Sequence, residues 1–265
     1  MTEFREQDFS GACFEDVNLR DTSFTRIRFN GARMREVDFG GVRVHGALFG
    51  DTRLRGVYMR GVEISGELRD VVVNGVDVAP LIEAELDRRD PDRVLMRPGD
   101  PDGFRAGWAA LERRWEGTIA RARTFPEDTL HERVDGEWSF IQTLRHLNFA
   151  YASWVDRMLL GVEAPWHPLD LPWDEAPGWP GVVPWDREAR PSLDEVLAVR
   201  EERKATIGRV LTALTDELLA GEVTRTSPGY PSEEGVPYRE CLLVVLNEGW
   251  EHRLFAERDL TALEG

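Results

Sequence analysis

The amino-terminal stretch FREQDFSGACFEDVNLRDTSF, residues 4–24, puts a large apolar residue at every fifth position: Phe4, Phe9, Phe14, Leu19 and Phe24. The step continues through Phe29, Met34, Phe39, Val44, Phe49, Leu54, Met59 and Ile64 without a miss. It then slips by one residue and resumes at Leu68, Val73 and Val78. Two positions before the large residue stands a small or β-branched one, such as Ala12, Val17, Thr22, Ala32 and Val37. A period of five fits neither the 3.6 residues of a helical turn nor the two of a strand. The chain must therefore turn every five residues, and a stack of such rungs would bury a continuous core that no single rung could bury.

Within this stretch the quintets "ACFED VNLRD TSF" follow one order: a small residue, a short side chain, Phe or Leu, then two polar residues. In this they resemble the pentapeptide-repeat family. The resemblance implies a right-handed quadrilateral β-helix over residues 1–80, with about sixteen quintets wound into about four coils. Residues 1–78 carry 11 arginines against 13 acidic residues, and the outward positions alternate the two signs. A DNA-mimicking acidic surface is thereby disfavoured, and the repeat reads as a rigid module for a protein partner or for homodimerisation. His45 falls at an outward position, where it reads as a solvated side chain.

The 265 residues carry a net charge of −16, and 79–265 hold most of it, with 22 basic and 36 acidic residues. Such a surface opposes the phosphate neutralisation that drives nucleic-acid affinity, so no nucleic-acid partner is expected. No apolar run approaches the ~18–20 residues of a bilayer crossing, so no membrane span is expected. The start, MTEFREQDFSG, has acidic residues where a secretion signal would have a basic and then an apolar run. Cys13 and Cys241 lie far apart and fit no metal-knuckle spacing. Both read as reduced thiols of a cytoplasmic protein.

Residues 81–101, which lie within "PLIEAELDRRD" (80–90) and the proline- and glycine-rich "PDRVLMRPGDPDG" (91–103), read as a linker. Beyond it the apolar spacing becomes three and four. It predicts helices at about 102–123, 138–160, 192–220 and 237–262, with Ser139 and Ser192 as N-caps. Together with one long crossover, 161–191, they predict an all-α four-helix bundle over 102–265. The crossover carries Trp166, Trp173, Trp179 and Trp185 among prolines, which suits either a pocket wall or packing over the bundle.

Glu248 and His252 lie four apart, on one face of the fourth helix. His146 lies on the apolar side of the second helix, in "WSFIQTLRHLNFAYASW". Two ligands from one helix and one from another would make a three-point metal site with a position open for water or substrate. Spacing alone leaves the bland readings standing, an exposed Glu–His pair and a hydrogen-bonded core histidine. Gln142, one turn before His146, is the candidate to orient it from behind. His131 and His167 fall in loops, with His167 the better placed for substrate contact.

Trp138, Ser139 and the "LRHL" that follows, together with "NEGWEHRLFAERDL" at 247–260, resemble the second and fourth helices of the DinB superfamily. Most such proteins use one His from the second helix and a His-x-x-x-His pair from the fourth, and here Glu248 stands in place of the first of that pair. The branch that includes mycothiol-dependent maleylpyruvate isomerase has His, Glu and His at the matching places. The resemblance implies that His146, Glu248 and His252 hold a divalent metal, zinc first, with nickel or iron tolerated. It further implies a low-molecular-weight thiol such as mycothiol as cofactor, and S-transfer to a small electrophile. The isomerase carries a further carboxy-terminal domain that this sequence is not expected to include, so S-transfer or hydrolysis is expected before isomerisation. The rival reading is a non-enzymatic metal-binding stress or scaffold protein whose repeat binds a partner.

Overall fold

A computed structural model describes residues 3–44 and 46–264, so His45 lies outside the described residues. The chain divides into two compact units, Met1–Ser65 and Gly66–Gly265.

In the first unit every fifth residue, two places after each large apolar one, adopts the left-handed conformation: Glu6, Gly11, Asp16 and Asp21 begin a series that runs to Gly61. Half of this series is glycine, the one residue type for which a positive φ carries no Cβ penalty. Short-range bonds close some of the bends, as in Ala12 N–H to Phe9 O (2.9 Å) and Ala32 N–H to Phe29 O (2.9 Å). Asp8, Asn18 and Asp38 add Asx turns by accepting from the backbone N–H two residues on. The rings of Phe4, Phe9 and Phe14 meet in sequence along one side, at centroid distances of 5.7 and 6.1 Å. This is the five-residue winding that the period demands. The quadrilateral β-helix expected for 1–80 is not seen in it: no strand ladder occurs among the described residues of this unit. The physical reason is the reach of the bonds, which among the described residues close within two or three positions and join no successive coils, so Phe9 and Phe14 remain 49% and 64% exposed.

The second unit opens on a two-residue hairpin, β1 (Val72–Val73) with β2 (Val76–Asp77), turned by Asn74 and Gly75, both with positive φ. Residues 81–101 are not a linker but folded chain: α1 (Ala79–Arg89), then a 3₁₀ segment, Pro91–Met96. Arg93 and Arg97 tie this segment to Glu83 and Asp87 of α1, and Arg114 of α2 (Pro101–Ala122) reaches Asp90 and Asp92. A Cβ at Gly107 would stand 2.5 Å from the Leu95 carbonyl, so only glycine admits this backbone onto α2.

Four long helices form the bundle. α2 starts on an Asp100 cap with Pro101 at its first position, and buries Phe104, Leu111 and Trp115. α3 (Phe140–Tyr151) starts on a capping box, Ser139 with Gln142, and continues through a wider π-helical segment, Ala152–Leu159. α4 (Leu193–Ala213) carries the second capping box, Ser192 with Glu195. It stops short of the expected residue 220 because Leu214 turns extended and Thr215 caps a separate one-turn helix, α5 (Asp216–Leu219). α6 (Tyr238–Leu263) follows an antiparallel hairpin, β3 (Glu222–Arg225) with β4 (Glu233–Pro237), which the apolar spacing does not announce. α3 packs on α4 and α6, and α2 packs on the same two helices, closing a four-membered ring around one core. Leu111, Leu144, Leu147, Tyr151, Leu246 and Trp250 meet there; burying such a side chain stabilises the fold by about 1.5–3 kcal/mol. No described helix is long and apolar enough to cross a membrane.

Candidate metal centre

His146 reaches the interface of α3 and α6 because nearly the whole of α3 is buried, so its polar residues must find partners inside the protein. Arg145, fully buried, donates to the Leu169, Ala189 and Asp186 carbonyls and so clamps two stretches of the crossover. Leu171 N–H donates to the Arg145 carbonyl (3.2 Å), and the Leu171 carbonyl accepts from His146 Nδ1 (3.0 Å). A carbonyl can only accept, so the His146 proton sits on Nδ1 and the Nε2 lone pair faces α6.

There it meets Glu248. Glu248 Oε2 lies 3.4 Å from His146 Nε2 and 3.1 Å from His252 Nε2. The two imidazole rings are 4.9 Å apart, and one donor atom from each residue lies within 4.8 Å of the other two. The three residues named from spacing are thus brought together. They are the one group of three or more His, Cys, Asp or Glu with metal-binding spacing among the described residues. Ligands about 2.0–2.1 Å from a tetrahedral zinc stand roughly 3.3 Å from one another, so the two contacts to Glu248 fit such an ion. Burial lowers the pKa of His146, which favours the neutral form that can ligate, while Glu248, His252 and the Leu171 carbonyl modulate it. For Glu248 burial works against ionisation, but the two imidazoles beside it, of His146 and His252, prevail and hold its carboxyl below the usual range. A neutral imidazole and an ionised carboxylate are the states a cation needs.

Other expectations fare differently. Gln142 does not orient His146: its side chain accepts from Ser139 N–H (3.0 Å) in the capping box, and the backbone carbonyl of Leu171 takes the role expected of it. The Ser139-x-x-Gln142 spacing is itself the signal for that outcome. His131 and His167 do not join the cluster; His167 Nδ1 accepts from Leu169 N–H (3.1 Å) within the crossover. Of the crossover tryptophans, Trp166 is buried with its indole N–H on Ser153 Oγ (2.9 Å). Trp173 and Trp179 pack with Tyr230 and Phe149, which lies next to His146. Trp185 stays partly exposed beneath the Arg187 guanidinium. Among the described residues the crossover rings therefore pack over the bundle and reach the site only through Phe149. Cys241 is sealed, and burial pushes its thiol up to about 12.

Two family models match the chain. Pentapeptide repeats, in nine copies, match residues 9–58, and the DinB superfamily matches residues 110–256. No curated protein and no solved structure matches. The DinB match spans more than half of the chain and includes α3, most of α6 and all three residues of the cluster, and the chain accordingly belongs to the DinB superfamily.

Proposed function

We propose that His146, Glu248 and His252 hold one divalent metal, zinc first, and that the centre activates a small-molecule thiol for transfer to a small electrophile. The observation that carries this reading is the convergence of three donors from α3 and α6 with no fourth His, Cys, Asp or Glu completing the group among the described residues. A purely structural zinc takes four protein ligands; three leave a position for an exchangeable molecule. The carboxylate reduces the site charge from +2 to +1, and the Leu171 carbonyl keeps the His146 lone pair on target. When bound, a divalent cation supplies the positive charge that lowers the pKa of a coordinated thiol. Trp138, Phe149 and Phe255 flank the imidazoles. Cys241, buried and held protonated, is unsuited to attack, and the proposal takes the sulfur nucleophile from outside the chain, as in a thiol of the mycothiol kind. This reading implies a compartment where such thiols stay reduced, the cytoplasm.

The same proposal covers the repeat. Its half-exposed apolar row becomes a core if the windings stack as a four-sided coil, a reading supported by the unbroken period and the nine matched copies.

The test for the centre is consumption of low-molecular-weight thiols with an electrophile such as a chlorinated aromatic. The activity is expected to be lost in Glu248→Ala and kept in Cys241→Ser. Equal loss in both variants would move the nucleophile onto the protein.

A further inference from the structure

The two imidazoles of the cluster are held by different means. His146 is oriented by a hydrogen bond, from Nδ1 to the Leu171 carbonyl. His252 is held between rings. The Trp138 indole stacks on it, with planes 16° apart and centroids 5.8 Å apart, and Phe255 meets it edge-on at 5.8 Å. The same indole packs against His146 at 4.5 Å.

Trp138 is in turn held from the crossover. Its Nε1–H donates to Asp174 Oδ1 at 3.0 Å, and Arg187 pairs with the same carboxylate while donating to the Trp173 carbonyl at 2.8 Å. An indole anchored through its only donor cannot rotate freely, so the plane it presents to His252 is fixed.

We infer that Trp138 is a positioning residue of the metal centre, one that sets the ring angle of His252, and hence the direction of its Nε2 lone pair, under the control of Asp174. The inference rests on the metal reading above. Histidine ligands are ordinarily aimed by a hydrogen bond on the far nitrogen, and loss of that partner weakens metal binding about 10–100-fold. Here stacking does for His252 what the Leu171 carbonyl does for His146. The crossover thereby orients both imidazoles, one through its backbone and one through Trp138.

The test uses the full chain loaded with cobalt(II), whose visible absorption reports ligand geometry, with affinity measured by competition against a chelator. Trp138→Ala is expected to weaken cobalt binding about tenfold or more and to alter the visible spectrum. Trp138→Phe, which keeps a ring against His252, is expected to restore most of the affinity. Asp174 is half exposed, so Asp174→Ala leaves the core intact and is expected to move affinity and spectrum in the same direction by a smaller factor. Wild-type affinity and spectrum in Trp138→Ala would overturn the inference. Should that variant fail to fold, an unchanged Asp174→Ala would overturn it instead. A wild-type protein that binds no cobalt would overturn the metal reading and this inference together, whereas a binding wild type with unaffected variants overturns this inference alone.

Discussion

The repeat and the helical unit treat the same kind of side chain in opposite ways. In the repeat, Phe9 and Phe14 follow bends closed by bonds two or three residues long, and both rings stay about half exposed. In the helical unit, Trp115, Leu144 and Trp250 come from three different helices and are almost wholly sealed. A period is a local instruction that the backbone obeys within one quintet, whereas burial requires partners brought from far along the chain. Only the unit with an interior can shift a proton equilibrium by desolvation, fix a tautomer or gather ligands from separate helices.

The sharpest contrast between the units lies in buried charge. Asp170 is fully buried beside Arg203, and desolvation raises its pKa to about 7 against the partial opposition of Arg203 and the His167 N–H. In the unfolded chain the same carboxyl ionises near 3.8. Between these values the folded protein holds a proton that the unfolded chain has released, so stability falls as pH rises from about 4 to about 7. A shift of this size corresponds to at most about 4 kcal/mol across that window. Denaturant titrations at a series of pH values should show the decline in wild type and a flatter profile in Asp170→Asn.

Core packing comes next. Leu144→Ala is expected to cost about 3 kcal/mol through lost burial and a residual cavity. All nine tryptophans lie between residues 108 and 250, so the fluorescence transition in urea reads the helical unit without interference from the repeat. The counterpart in the repeat is Phe29→Ala, read by far-ultraviolet circular dichroism. A stacked coil predicts a loss of about 2 kcal/mol or more in that unit's transition. A change within about 0.5 kcal/mol would leave the row as exposed as the short-range winding makes it and remove the four-sided coil. The smallest effect is expected at the entrance to α3, where Ser139→Ala should cost about 1 kcal/mol by fluorescence-monitored unfolding while Gln142→Ala leaves metal affinity unchanged.

Local signals in the sequence were the readable ones. The quintet step gives the bends of the repeat, and the four-residue spacing of Glu248 and His252 with the inward side of His146 gives the cluster, because both are properties of one element at a time. What escapes is carried by backbone or by distant pairing. The carbonyl of Leu171 orients His146, yet a carbonyl has no residue identity to read. Arg145 looks like a surface charge until the crossover folds over it. Gln142 stands at a spacing that serves two roles, and the local one, the capping box, prevails. The linker expected over 81–101 is folded because Arg93, Arg97 and Arg114 find acidic partners on neighbouring elements, which composition alone does not pair. The β3–β4 hairpin is missed for the same reason: its strands are too short to show a period.

The central claim is that three side chains from two helices hold one cation, and metal content tests it most directly. Protein purified without added metal and measured by elemental analysis should contain about one transition-metal ion per chain, with His252→Ala and Glu248→Ala retaining little. A folded wild type that is empty as purified and takes up no zinc at micromolar concentration would contradict it.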